Sequence, residues 1–163
     1  MSTRNRLCAT LLLLLAGLFS VPVNQAFAER LVDASDPVVL RDIIARYGKA
    51  FLMVDSHGDP LIEGRIDGQQ FRVHFYDCVN GGDCKMLAFR RSSVRPDLTL
   101  EHINSWNHER LFGVATLDAA GTSTIGLDVN LAHGVSQANF TETVETWRGL
   151  LSDFASFASD ETG

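Results

Sequence analysis

Residues Gln70 to Arg91, QFRVHFYDCVNGGDCKMLAFRR, constrain this chain more than any other stretch. Two β-rich runs flank a short segment that contains glycines and is closed by a cysteine at each end. Setting Cys78 opposite Cys84 in an antiparallel pair places Phe75 across from Leu87 and Val73 across from Phe89. Those pairs share one face, while Tyr76–Met86 and His74–Ala88 fall on the other. One register thus satisfies both a disulfide and the hydrophobic alternation, and a stapled β-hairpin is predicted.

A disulfide needs an oxidising compartment, and the start of the chain supplies the route to one. Arg4 and Arg6 precede an apolar run from Leu7 to Leu18, Pro22 breaks it, and Ala26-Phe27-Ala28 follows. Basic, apolar, then A-x-A is the order of a secretory signal peptide, and the run is shorter than the roughly 20 residues a membrane span needs. Residues 1–28 are therefore read as a signal peptide and residues 29–163 as a single domain, periplasmic or secreted, with no membrane span after cleavage. Arg4 and Arg6 are the only charges in the leader, so its removal takes the formal net charge from −6 to −8. Such an acidic domain is a poor ligand for nucleic acid, whose binding rests on Lys and Arg. Cleavage also removes Cys8, leaving an even count of two cysteines. Cys78-x5-Cys84 lacks the C-x-x-C redox spacing, and a bridge closing so short a loop stabilises by roughly 2 kcal/mol.

Taken in order, Glu29 to Ala34 reads as a tether. Ser35-Asp36-Pro37 opens a helix with a capping side chain and a first-turn proline; Val39, Leu40, Ile43, Ile44 and Tyr47 form its stripe, and Gly48 ends it. Phe51–Val54 is a compact apolar strand, 55–60 a turn, Leu61–Ile66 a second strand, and Asp67-Gly68 a hairpin signal leading into the stapled pair. Arg95-Pro96-Asp97 interrupts the sheet. Thr99 caps a second helix from Leu100 to about His108, with Trp106 or Asn107 facing inward. Leu111–Leu117 is a strand, and Thr124–Leu131 alternates with Ile125, Leu127, Val129 and Leu131 inward. Ser136 caps a last helix striped by Phe140, Val144, Trp147, Leu151, Phe154 and Ala158, and the tail from Ser159 reads as frayed. The order α-β-β-β-β-α-β-β-α predicts an α+β fold: an antiparallel sheet of five or six strands flanked on one face by three helices.

Catalytic chemistry leaves no local signature. None of the five histidines stands in a His-x3-His or His-Glu-x-x-His arrangement, and no G-x-S-x-G elbow or phosphate-binding glycine loop is present. His57 between Asp55 and Asp59 is the nearest approach to a metal cluster, and it reads as a polar turn. No catalytic residue, metal ligand or cofactor is assigned. The polar–aromatic group around Asn104, Trp106 and Asn107 has two readings. In one, Asn107 satisfies carbonyls left free at the end of the second helix while Trp106 fills core; in the other, the group is a recognition site.

The chain resembles the YbjN family, a group named for sensory transduction regulation in bacteria. Asp67-Gly68, Phe71, Val73, Phe75-Tyr76-Asp77-Cys78, Cys84 and Phe89-Arg90 carry the resemblance. It continues through Ile103-Asn104-x-Trp106-Asn107, Arg110-x-Phe112-Gly113, Asp128-Val129-Asn130-Leu131, Gly134-Val135 and the helix with Trp147 and Phe154. The resemblance spans roughly Asp36 to Phe157. It implies a fold similar to type III secretion chaperones and no established catalytic residues. The expectation is a non-enzymatic exported binding module that recognises a polypeptide or associates with itself as a homodimer, in a chaperone-like or regulatory role. Its surface is placed on Arg72, His74, Tyr76, Met86, Ala88 and Arg90, with Asn104, Trp106 and Asn107 as a second candidate group. The alternative is an enzyme or metal-binding protein whose site is assembled from residues distant in sequence.

Overall fold

The computed structural model describes residues 30–160; residues 1–29, where the signal peptide is expected, and 161–163 lie outside them. Six antiparallel strands form the main sheet: β2 (Gly48–Val54), β3 (Pro60–Ile66), β4 (Gln69–Tyr76), β5 (Met86–Val94), β6 (Val114–Leu117) and β7 (Thr122–Asn130). Their spatial order is β2-β3-β4-β5-β7-β6, so β7 inserts between β5 and β6 and leaves β2 and β6 at the edges. The helices are α1 (Pro37–Ile44), α2 (Leu100–Glu109) and α3 (Gln137–Asp160). The α+β fold and the sheet of six strands match the arrangement read from the sequence.

The central hairpin forms in the expected register: Val73 faces Phe89, His74 faces Ala88, Phe75 faces Leu87 and Tyr76 faces Met86. Beyond Tyr76 the ladder stops. Asp77, Asn80 and Asp83 all have positive φ, and Val79 and Gly82 exchange backbone hydrogen bonds of 2.7 and 3.1 Å around Asn80-Gly81. Two left-handed residues, Asn then Gly, make the tight turn whose twist suits a hairpin. The Cys78–Cys84 disulfide spans the irregular interval between that turn and the ladder, tying the strands where regular pairing is absent. The tip also lies close to the β2–β3 turn, since a Cβ on Gly81 would sit 2.6 Å from the carbonyl oxygen of Gly58.

One face of the sheet carries the core. Leu52, Ile62, Val73, Phe89 and Leu127 lie in a single cross-strand row, and Trp147 of α3 packs on Phe71 and Phe89 at ring-centroid distances of 5.8 and 5.5 Å. Gly64 makes room in this layer, because a Cβ there would stand 2.3 Å from the Phe71 ring. Leu40, Ile43 and Ile44 of α1 are buried in the same cluster. Asp36 caps α1 by accepting from the Val39 N–H, Thr99 caps α2 by accepting from the His102 N–H, and the Ser136 hydroxyl accepts from the Asn139 N–H at the start of α3.

Four boundaries differ from the sequence reading. Leu31–Val32 (β1) is no tether: it pairs antiparallel with Val135–Ser136 (β8) in a second, two-stranded sheet. α1 stops before Tyr47, whose hydroxyl donates to Glu145, and Gly48 begins a strand instead of only ending a helix. The strand read as Leu111–Leu117 starts at Val114, because Gly113 turns the chain with φ of 79°. Ser159 and Asp160 continue α3, so the helix outlasts the fraying expected there.

Candidate binding surface

Alternation puts a second set of side chains on the face opposite the core. Register alone orders them in rows across the sheet. One row runs Met53, Leu61, His74, Ala88, Asp128. The next runs Phe51, Glu63, Arg72, Arg90, Gly126. Tyr76, Met86 and Asn130 form a short third row at the hairpin end. Phe51, Met53, Tyr76 and Met86 are all exposed, which gives this end of the outer face its apolar character.

Beyond Phe51, the second of these rows is polar, and both its arginines are ion-paired. Arg72 reaches Glu63 at 2.9 to 3.0 Å, and Arg90 donates to Asp128 at 2.5 Å. Arg90 lies flat across Gly126, where a Cβ would approach its guanidinium to 2.7 Å; a larger residue there would displace it. Glu63, Arg72 and Arg90, with Gln70, His74 and Ser92, line a shallow depression of about 410 Å³. Burial holds the His74 imidazole below its ordinary pKa, and the positive charges of Arg72 and Arg90 push the same way.

The residues singled out from sequence thus separate into two places. Arg72, His74, Tyr76, Met86, Ala88 and Arg90 share the outer face, but Ala88 is only 2% exposed. Its methyl sits in the row between His74 and Asp128 and is shaded by them, so Ala88 is a floor to the surface and no contact point. Asn104, Trp106 and Asn107 are elsewhere, on α2 beside the β6 edge. Trp106 is 1% exposed, with its ring edge-on to Phe154 at 5.0 Å and the Arg110 guanidinium 4.7 Å from its centre. It is core, and the recognition reading fails for it.

Asn107 does not serve the end of its own helix. Its Nδ2 donates to the Ala115 carbonyl at 3.0 Å, and the Ala115 N–H donates to its Oδ1 at 2.8 Å. The primary amide thereby imitates one residue of a neighbouring strand along β6. Asn104 is exposed on the same helix. Two residues of the outer surface escaped the sequence reading: Phe51 and Met53 sit in a run read only as a compact apolar strand. The signal that marks them is position, since the first strand of a meander has one neighbour only.

Among the described residues no three His, Cys, Asp or Glu side chains gather as a metal site, and no helix is long and apolar enough to cross a membrane. One oxygen of the Asp55 carboxylate, Oδ1, serves its own turn, accepting from the His57 and Asp59 N–H groups.

The fold is thus an α+β domain whose described helices pack on one face of the main sheet, leaving exposed apolar and ion-paired side chains on the other. The chain belongs to the YbjN family: the profile described as "Putative bacterial sensory transduction regulator" matches residues 36–158. No curated protein and no solved structure gives a significant match. The family description is of a regulator, which is compatible with a regulatory or binding role.

Proposed function

We propose that this chain is an exported, non-catalytic module that binds a polypeptide through the outer face of its sheet. The observation that carries the reading is the apolar end of that face. Phe51, Met53, Tyr76 and Met86 are exposed together, beside the fringe of His74, Arg72 and Arg90. Aromatic side chains and methionine are typical of interface centres, and Arg of their contacts. An extended segment with apolar residues would cover the first group and meet the polar row with its backbone and acidic side chains.

The test is capture of a defined unfolded polypeptide, reduced α-lactalbumin, by the protein purified as its host produces it. Tyr76→Asp and Met86→Asp should each weaken capture by about tenfold or more while thermal unfolding stays unchanged, since both side chains already face water. No capture by the unmodified protein, or capture indifferent to both changes, overturns the proposal.

A further inference from the structure

The β2 edge carries a second surface, distinct from the face above it. Asp55 donates its N–H to the Asp59 carbonyl on the β3 side. Alternation along an antiparallel strand then directs the N–H and C=O groups of Phe51 and Met53 toward β3, and those of Ala50, Leu52 and Val54 outward. β2 pairs with β3 alone, and these outward groups have no backbone partner among the described residues. The strand is also apolar on both faces: Phe51 is 62%, Leu52 37%, Met53 46% and Val54 69% exposed. A long apolar edge with open peptide groups is a template for another strand.

We propose that β2 pairs antiparallel with β2 of a second copy of this chain, about a two-fold axis through Leu52. In that register Leu52 faces Leu52 and Ala50 faces Val54 on the inner side, every one through outward peptide groups. On the outer side Phe51 meets Met53, and Lys49, which has no ion-pair partner among the described residues, stands opposite Asp55 of the second copy. Centring the axis on Phe51 instead would set Lys49 against Met53 and forfeit both charge pairs. A two-fold contact needs one patch that complements itself, and this strand together with the adjoining Asp55 does so in apolar side chains, peptide groups and charge. The result joins two six-stranded sheets into one.

The pairing stands apart from polypeptide binding on the outer face, and its tests are separate. The protein as its host produces it should sediment as a dimer at micromolar concentration. Leu52→Pro removes one outward N–H from each copy without touching the β2–β3 ladder, and proline is tolerated on an edge. It should raise the dimer dissociation constant about tenfold or more with the fold retained by circular dichroism. Lys49→Glu, which sets two carboxylates against each other, should shift the same equilibrium in the same direction and keeps the test alive if the proline variant misfolds. Leu52→Cys should cross-link to itself under mild oxidation, because directly opposed residues of a hydrogen-bonded pair lie about 5.5 Å apart, within disulfide reach. A monomer, a dimer insensitive to Leu52→Pro and Lys49→Glu, or cross-linking at Phe51→Cys in place of Leu52→Cys overturns the proposal. A monomer that still captures unfolded polypeptide refutes the pairing alone.

Discussion

At one edge of the main sheet, β6 contributes four residues, and the Asn107 amide occupies the outward peptide groups of Ala115. At the other edge, β2 runs for seven residues, and the outward peptide groups of Ala50, Leu52 and Val54 have no backbone partner among the described residues. Brevity and a covering side chain are established ways of blunting an edge. The same sheet therefore shows the device at one end and omits it at the other. The difference teaches that an open edge here is no general failing of the fold: at β6 a short strand and one amide stand where β2 has neither.

The largest effect should come from unseating the open edge. A Cβ on Gly48 would stand 2.1 Å from the Arg65 carbonyl oxygen, so backbone must move to admit it. Gly48→Ala is expected to destabilise by about 3 kcal/mol in urea unfolding, the upper range for overpacking. A change within about 0.5 kcal/mol, typical of unconstrained surface sites, would show that this close approach does not hold β2 in place.

Removing the guard comes next. Asn107→Ala deletes two hydrogen bonds and should cost about 2 kcal/mol, near 1 for each. It should also convert β6 into a second pairing edge, visible in sedimentation as species larger than those of the unmodified protein. Stability lost with no change in association would mean that shortness alone closes that edge.

The smallest effect sharpens the contrast from the face beside β2. His74 lies in the row with Met53, and its pKa is held down by burial and then by Arg72 and Arg90. The unfolded chain therefore takes up the proton more readily, so stability falls as pH drops below about 6.5 and is unaffected above it. His74→Gln should flatten that acid limb of the stability curve slightly, because solvent screens a half-buried ring. An unchanged slope would detach His74 from the electrostatics of its neighbours.

The parts of this molecule that could be read in the sequence are those where neighbours along the chain decide the outcome. Asp67-Gly68 and the flanking alternation set the β3–β4 hairpin, with φ of 47° and 81° at the turn, and the cysteine pair set the register of β4 on β5. Where sequence-distant partners decide, local pattern was silent. Leu31–Val32 becomes a strand only because Val135–Ser136 arrives beside it. Gly48 reads as a helix stop until the Arg65 carbonyl shows why a larger residue is excluded. The partner of Asn107 could not be found before the strand order placed β6 outside β7. Ala88 alternates onto the outer face as expected, yet its small size lets its row neighbours bury it. The candidate surface was legible as a face, and its extension onto Phe51 and Met53 required knowing which strand was last.

The Asn107 amide also governs how far assembly can run. A sheet with two receptive ends can add copies without limit, as fibrils do. With β6 covered by a side chain of its own chain, joining at β2 would use up the long open edge of the main sheet among the described residues of each copy. Growth would then halt at a pair, twelve strands wide, with a short strand and a carboxamide at each extremity.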